Sequence, residues 1–116
     1  MELHLQGKVA LVTGGGQGVG RRICLELAGE GVNVVINDYF LERAQAVQKE
    51  IEAAGGQALA VQADIGDSEQ VERMFAAARE RFGDVDILVN NAGVTVARRT
   101  KGGMPPTFMA MPVEDW

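Results

Sequence analysis

The clearest chemical signal in the chain is a glycine-rich stretch at residues 13–20, which reads Thr-Gly-Gly-Gly-Gln-Gly-Val-Gly. A short apolar run at residues 9–12 leads into it, and apolar residues at helical spacing, Val19, Ile23 and Leu27, lead out of it. A strand that turns through glycines into a helix directs free backbone N–H groups and the positive end of the helix dipole at one place. We therefore expect this stretch to bind phosphate.

The spacing of the glycines separates this stretch from other phosphate-binding motifs. No frame gives G-x-G-x-x-G, and Arg21-Arg22 stand where a P-loop requires Lys followed by Ser or Thr. The pattern that fits is T-G-x-x-x-G-x-G. In it we expect Gly14 to permit the tight turn, Gly18 to let the backbone approach a pyrophosphate, and Gly20 to let the helix pack against the strand. A glycine-rich turn without a ligand is the less favoured alternative.

A carboxylate follows the second apolar run of the chain. Asp38 lies twenty residues after Gly18. At that distance an acidic residue can accept hydrogen bonds from both ribose hydroxyls of the adenosine half of NAD, and it would repel the 2′-phosphate of NADP. Asp is also favoured in turns because it bonds to its own backbone. After a glycine loop of this kind, the ribose role is the favoured one.

Apolar periodicity predicts four strands that alternate with three helices. The strands are expected at about residues 8–13, 32–37, 58–61 and 85–90, and the first two helices at about 18–30 and 41–54. A third helix should follow Asp67 as its N-cap, with Gln70 as the capping-box partner, and end at Gly83. This alternation predicts an α/β, doubly wound, Rossmann-like parallel sheet, truncated after about four strands in the order 3-2-1-4. Ligands of such sheets lie outside the carboxyl ends of the strands.

A second motif follows the fourth predicted strand, where residues 90–93 read Asn-Asn-Ala-Gly. Together with T-G-x-x-x-G-x-G, this N-N-A-G element resembles the short-chain dehydrogenase/reductase family. The pair Asp64-Ile65, after the third predicted strand, also matches the family's Asp-hydrophobic pair. The resemblance runs from about Lys8 to Trp116, but it covers only about the first half of a typical member.

The resemblance implies a nicotinamide dinucleotide site. By it, Asp64 would reach the adenine amino group, and the N-N-A-G backbone would line the adenosine ribose and the point where the sheet order switches. NADP-using relatives usually place a basic residue where this chain has Gln17 and Tyr39, so the preference leans to NAD, with NADP less favoured. The predicted cofactor-binding residues are Gly14, Gly16, Gln17, Gly18, Val19, Gly20, Asp38, Tyr39, Asp64, Ile65, Asn91, Ala92 and Gly93. No metal site is predicted.

The family's catalytic residues have no counterparts in this chain. By resemblance, the general acid is a Tyr whose pKa is lowered by a Lys four residues later, with a Ser that orients the carbonyl. Here Tyr39 is followed four residues later by Arg43, and Ser68 lies beside the cap of the third helix. The chain is therefore predicted to be the cofactor-binding half of an oxidoreductase that transfers hydride between a nicotinamide and an alcohol or ketone, and to be inactive alone. A non-catalytic nucleotide-binding module or a truncated gene product is the alternative. A Rossmann-like methyltransferase would not be expected to carry N-N-A-G.

Composition limits the remaining classes of function. The 116 residues predict one partial domain over residues 1–116, and the net charge of -5 argues against a nucleic acid or an anionic membrane as partner. No apolar run approaches the roughly 20 residues that span a bilayer, and the N-terminus does not resemble a signal peptide. The single cysteine, Cys24, excludes an internal disulfide and suits a reducing compartment. We expect a cytoplasmic location.

The end of the predicted sheet raises a separate expectation. Residues 87–89 are a continuous apolar run, which suits a strand paired on both edges and covered on both faces. Residues 94–112 are expected to be a loop, either a surface insertion, which we favour, or a lid. The outer edge of the fourth strand should then be unpaired, and self-association of the chain is expected.

Overall fold

The computed structural model describes residues 4–91 and the backbone of Ala110–Met111. Strands and helices alternate along the first of these segments, and a short strand forms the second. In chain order they are β1 Val9–Thr13, α1 Gly18–Gly29, β2 Asn33–Asp38, α2 Leu41–Ala53, β3 Ala58–Gln62, α3 Ser68–Phe82, β4 Ile87–Asn90 and β5 Ala110–Met111. None of the described helices is long and apolar enough to cross a membrane.

The sheet has the order β3-β2-β1-β4-β5. The first four of these strands are parallel, and β1 lies between β2 and β4, with Leu11 level with Val35 on one side and Leu88 on the other. The predicted order 3-2-1-4 is confirmed. The strand order reverses beside β1, so the carboxyl end of β1 lies at the switch point of the sheet.

Two apolar cores cover the two faces of the sheet. Along β1, Ala10 and Val12 contact the core formed with α1 and α2, whereas Val9 and Leu11 contact the core formed with α3. All five residues of β1 are buried. A strand that is apolar on both faces needs helices on both faces, and this explains why its sequence shows no alternation of polar and apolar residues.

The ends of the elements follow local hydrogen bonding. Asp67 is the N-cap of α3, as predicted, and its side chain accepts hydrogen bonds from the backbone N–H groups of Glu69 and Gln70. The predicted capping box is not completed, because the Asp67 N–H donates to the Asp64 carbonyl and the Gln70 side-chain oxygen accepts from the Asp64 N–H instead. The fourth strand begins two residues later than expected, at Ile87. The reason is Asp86, whose backbone N–H donates to the Val9 carbonyl and whose Oδ2 accepts from the Val9 N–H at 2.9 Å.

The outer edge of β4 differs from the prediction. β5 pairs with it in the antiparallel direction, with Leu88 opposite Met111 and Val89 opposite Ala110. The expectation that the sheet ends at an unpaired fourth strand is therefore wrong. An edge strand presents a row of free N–H and C=O groups, which any extended segment of the chain can pair with. Residues 92–109 and 112–116, which include most of the predicted loop, lie outside the described residues.

Candidate nucleotide-binding site

The predicted phosphate-binding stretch lies at the carboxyl end of β1. Residues 14–17, here called the glycine loop, connect β1 to α1. Gly14 has a φ of +62°, a conformation that residues with a side chain rarely adopt, as expected for the tight turn. Gly18, the first residue of α1, has a φ of +59°, and a Cβ at this position would meet nothing within 4 Å. The start of α1 therefore has open space beside it.

Three hydrogen bonds from neighbouring strand ends hold the glycine loop. Asn91 Nδ2 donates to the Gly14 carbonyl at 3.0 Å. The Gly15 N–H donates to the Asn37 carbonyl at 2.8 Å, and the Gly16 N–H donates to Asp38 Oδ2 at 3.0 Å. Asn91 follows β4, and the other two partners end β2. The loop is thus held by hydrogen bonds from both neighbours of β1.

Gly20 provides the close contact between α1 and this loop. A Cβ at position 20 would overlap the Gly14 carbonyl and would lie 2.6 Å from Asn91 Nδ2. Distances under about 3 Å are too short for carbon, and an overpacked position costs about 1–3 kcal/mol. The packing role predicted for this glycine is consistent with the geometry.

The N-cap side chain of α1 does not cap the first turn of this helix. Gln17 is the N-cap residue, with extended backbone, but its side chain accepts no capping hydrogen bond, and the turn contains no acidic residue. The first N–H groups of a helix have no partner within the helix, and the dipole makes this end positive. Gln17, Gly18 and Val19 are exposed. This end of α1 can accept an anionic group from solvent.

Asp38 ends β2 beside the glycine loop and is 6% exposed. Besides the bond from Gly16, its Oδ1 accepts the Phe40 N–H at 2.9 Å. The second bond is the backbone turn that the alternative interpretation of Asp38 predicted. The two interpretations are compatible, since each ionised carboxylate oxygen has two acceptor positions.

An exposed aromatic pair follows Asp38. The rings of Tyr39 and Phe40 meet edge to face at 5.2 Å, and the Arg43 guanidinium lies 4.5 Å from the centre of the Phe40 ring. Tyr39 is 59% exposed. Arg43 is a cation near the glycine loop, a placement that its position four residues after Tyr39 does not reveal.

The residues that follow β3 lie next to the end of β2, on the same side of the candidate site as Asp38. The Asp64 N–H donates to Gln70 Oε1 at 2.9 Å, and Asp64 Oδ1 accepts from the Gly66 N–H at 2.9 Å. Asp64 and Ile65 are both half-buried. The structure thus brings Asp64 and Ile65 to the same edge of the sheet as Asp38 and the glycine loop. Of the predicted site residues, Ala92 and Gly93 lie outside the described residues.

Two polar residues outside the predicted set of cofactor-binding residues also support the site. Asn37 is buried in β2, and its Nδ2 donates to the carbonyls of Val61 and Ala63 at 3.3 and 3.2 Å, which ties the end of β2 to the exit from β3. The buried Thr13 hydroxyl lies 3.2 Å from Asn90 Oδ1. A polar residue at the end of an otherwise apolar strand was the signal that could have identified both.

The two arginines at the start of α1 pair with carboxylates. Arg21 Nε donates to Glu50 Oε1 on α2 at 2.9 Å, and Arg22 Nε donates to Glu26 Oε1 one turn later at 3.3 Å. The hydrogen bond from Arg21 holds the pKa of the Glu50 carboxyl below its ordinary value. Each arginine is therefore paired with a carboxylate of the protein, which explains why two cations are tolerated at the positive end of a helix.

Cys24, on the buried side of α1, lies beneath the glycine loop. Its Sγ is 3.8 Å from the Gly15 carbonyl, and burial raises the pKa of the thiol to about 12. A protonated thiol is a poor nucleophile and a poor metal ligand. Among the described residues there is also no group of three or more side chains suited to hold a metal ion.

The described fold and site define a class. A parallel sheet that switches order beside a strand–glycine loop–helix unit, with a carboxylate at the end of the next strand, is the architecture of dinucleotide-binding proteins. The family model described as short chain dehydrogenase matches residues 8–112. The chain belongs to the short-chain dehydrogenase family.

Similarity to individual proteins agrees with this membership. The 3-oxoacyl-(acyl-carrier-protein) reductase FabG of Staphylococcus aureus is 47% identical over 89 residues, covering 76% of this chain and 36% of that protein. A hydroxynaphthalene reductase-like protein of Metarhizium anisopliae is 48% identical over 93 residues, covering 79% and 35%. The crystal structure of a hydroxysteroid dehydrogenase from Escherichia coli superimposes with a TM-score of 0.74 at 40% identity, covering 75% and 37%. The chain spans little more than a third of the length of these proteins.

Proposed function

We propose that residues 1–116 are the cofactor-binding part of a nicotinamide-dependent oxidoreductase. The observation that carries the proposal is the exposed start of α1, which its N-cap side chain leaves uncapped, behind a hydrogen-bonded glycine loop with Asp38 at the adjoining strand end. A diphosphate fits the first feature because N–H groups and the helix dipole both favour anions. A ribose fits the second because a carboxylate accepts bonds from its hydroxyls.

In this proposal, the residues divide by the part of the cofactor that they hold. The glycine loop and the start of α1, which include Gly14, Gly16, Gln17, Gly18, Val19 and Gly20, hold the pyrophosphate. Asp38 and Tyr39 hold the adenosine ribose, and Asp64 and Ile65 hold the adenine. Asn91 supports the loop through its bond to the Gly14 carbonyl, and Ala92 and Gly93 complete the ribose side.

NAD is the proposed cofactor, and NADP is less favoured. The support is the buried Asp38 carboxylate, whose negative charge opposes a 2′-phosphate at the ribose. Arg43 is held over the Phe40 ring. The two positions where NADP-using relatives usually carry a basic residue are Gln17 and Tyr39 in this chain, and both side chains are uncharged.

When bound, the nicotinamide would supply or accept a hydride in the conversion of an alcohol to a carbonyl compound. The residues of this chain would bind and orient the dinucleotide. No Tyr with a Lys four residues later occurs among the 116 residues, so we expect this chain alone to bind the cofactor weakly at best and to transfer no hydride. The substrate is proposed only as a small alcohol or carbonyl compound, because the relatives' names include acyl, naphthalene and steroid substrates.

The proposed location is the cytoplasm. The support is the free, buried Cys24, which is kept as a thiol in a reducing compartment. We further propose that the chain self-associates, since within the described residues β5 pairs with β4 at two positions and leaves the rest of the β4 edge open. A monodisperse monomer in size-exclusion chromatography with light scattering would contradict this second proposal.

The experiment that tests the function is a calorimetric titration of the 116-residue chain with NAD and with NADP, repeated on Asp38→Ala. We expect NAD to bind more tightly than NADP, and the substitution to weaken NAD binding by about tenfold, because a hydrogen bond to a charged group contributes about 1.5–3 kcal/mol. Glu42→Ala removes an exposed carboxylate from the first turn of α2 and is the charge-matched control. Equal affinity of the unmutated chain for the two dinucleotides would contradict the NAD preference, and binding of neither would contradict the function.

A further inference from the structure

The Asp38 carboxylate has contacts within the protein that ribose binding alone does not require. Its Oδ2 accepts the Gly16 N–H at 3.0 Å, and its Oδ1 accepts the Phe40 N–H at 2.9 Å. The side chain is almost fully buried. It therefore joins the middle of the glycine loop to the backbone just before α2.

The absence of a side chain at position 16 makes this contact possible. A Cβ on Gly16 would overlap Asp38 Oδ2 and would lie 2.6 Å from Arg43 Cβ. Position 16 thus needs glycine because the loop lies against the carboxylate. This reason is separate from the approach of a phosphate, which we assign to Gly18.

The bond to Gly16 is also the one nearest to α1. The other two attachments of the loop act at Gly14, through Asn91, and at Gly15, through the Asn37 carbonyl. Gly16 is followed by Gln17, the N-cap residue, whose side chain makes no capping bond. Among the described side-chain contacts of the loop, the one from Asp38 therefore lies nearest to the start of α1.

We propose that Asp38 is a positioning residue for the phosphate site as well as a ligand of the ribose. Its carboxylate holds the Gly16 N–H and so orients the start of α1 toward the diphosphate. This inference rests on the proposed function and extends it. Its consequence is that replacing Asp38 to change the cofactor preference also weakens the binding of the phosphates.

A ligand without ribose hydroxyls separates the two roles. We would measure binding of ADP and of 2′,3′-dideoxy-ADP to the chain, to Asp38→Ala and to Asp38→Asn. The amide variant keeps the size of the side chain, but it cannot accept both backbone N–H groups. We expect both variants to weaken dideoxy-ADP binding by about tenfold, the effect of one hydrogen bond to a charged group. Unchanged dideoxy-ADP binding in both variants, with weakened ADP binding, would overturn the positioning role and leave the proposed function intact.

Two further variants control for charge. Glu42→Ala removes an exposed carboxylate near the same strand end, and should leave the affinity for dideoxy-ADP unchanged. Gly16→Ala keeps every charge but displaces the Asp38 carboxylate, and should weaken dideoxy-ADP binding as the Asp38 variants do. Wild-type affinity for dideoxy-ADP in Gly16→Ala would contradict the proposal.

Amide hydrogen exchange tests the same contact without any ligand. In the free chain, the Gly16 amide should exchange at least about tenfold faster in Asp38→Ala and Asp38→Asn than in the unmutated protein. The Gly15 amide, which bonds to a backbone carbonyl, should be unchanged in Asp38→Asn. Equal exchange of Gly16 in all three proteins would overturn the inference. A chain that shows this exchange pattern but binds no ADP would contradict the proposed function alone.

Discussion

The N-termini of α1 and α3 lie at the same edge of the sheet but are built in opposite ways. At α3, Asp67 accepts hydrogen bonds from the second and third backbone N–H groups, and Glu69 adds a negative charge to the first turn. At α1, Gln17 makes no capping bond, and the first turn contains no acidic residue. Among the described residues, a side chain caps the start of α3, whereas the start of α1 is open to an anion from solvent. The difference supports the proposal that an anion binds at the start of α1.

The largest effect is expected where α1 meets the glycine loop. Gly20→Ala should lower the free energy of unfolding by about 1–3 kcal/mol, because the added methyl overlaps the Gly14 carbonyl. It should also weaken NAD binding by more than tenfold by displacing the loop. Gly29→Ala is the matched control, since a Cβ there meets nothing within 4 Å. Chemical denaturation and calorimetry measure both quantities, and equal behaviour of the two variants would contradict the account.

An acidic N-cap on α1, like the one on α3, should make the fold more stable and weaken the binding of NAD. Gln17 has extended backbone suited to an N-cap, so Gln17→Asp should stabilise the chain by about 0.5–2 kcal/mol. The same carboxylate should compete with the phosphates and weaken NAD binding by about tenfold. Gln17→Asn, a neutral capping residue, controls for the added charge. A Gln17→Asp variant that binds NAD as tightly as the unmutated chain would show that the free end of α1 does not hold the anion.

The buried face of α1 carries a titratable side chain, whereas the buried face of α3 carries none. α1 buries Cys24, whereas α3 buries Met74 and Ala78. The pKa of Cys24 is about 12 in the folded chain against an ordinary 9.0. The buried thiol therefore makes its full contribution to the free energy of unfolding below pH 9, and this contribution is lost as the pH rises toward 12. Near about pH 10 the loss should be about 1 kcal/mol, because only the unfolded state has released the proton. Cys24→Ala should abolish this part of the alkaline destabilisation in denaturant titrations. A pH dependence identical in both proteins would refute it.

The smallest effect is expected at the satisfied helix end. Asp67→Ala should lower the midpoint of thermal unfolding and leave NAD affinity unchanged. The Gln70 N–H bond holds the pKa of the Asp67 carboxyl below its ordinary 3.8. A lowered pKa stabilises the fold above the unfolded pKa, and this contribution is lost as the pH falls through the folded value. The difference between variant and parent should therefore shrink in acid. A loss of NAD affinity in Asp67→Ala would remove the contrast between the two helices.

Much of the fold could be predicted because its signals are local. The strand order follows from alternating strands and helices, and the N-cap of α3 follows from an Asp directly before a stretch with helical periodicity. The pairing of β5 with β4 could not be predicted, since two residues carry no periodicity. At the site, glycine spacing indicated the loop. The contact of Asp38 with Gly16 depends on how β2 lies beside β1 and is visible only in the folded chain.

The most direct test of the account is to titrate the isotopically labelled chain with ADP and follow its backbone amides by nuclear magnetic resonance. If the start of α1 binds phosphate, the amides of residues 18–20 should shift with the largest amplitude, and those of residues 68–70, at the start of α3, should stay in place. Equal shifts at the two helix ends, or shifts confined to α3, would contradict the claim that the uncapped end of α1 is the phosphate site.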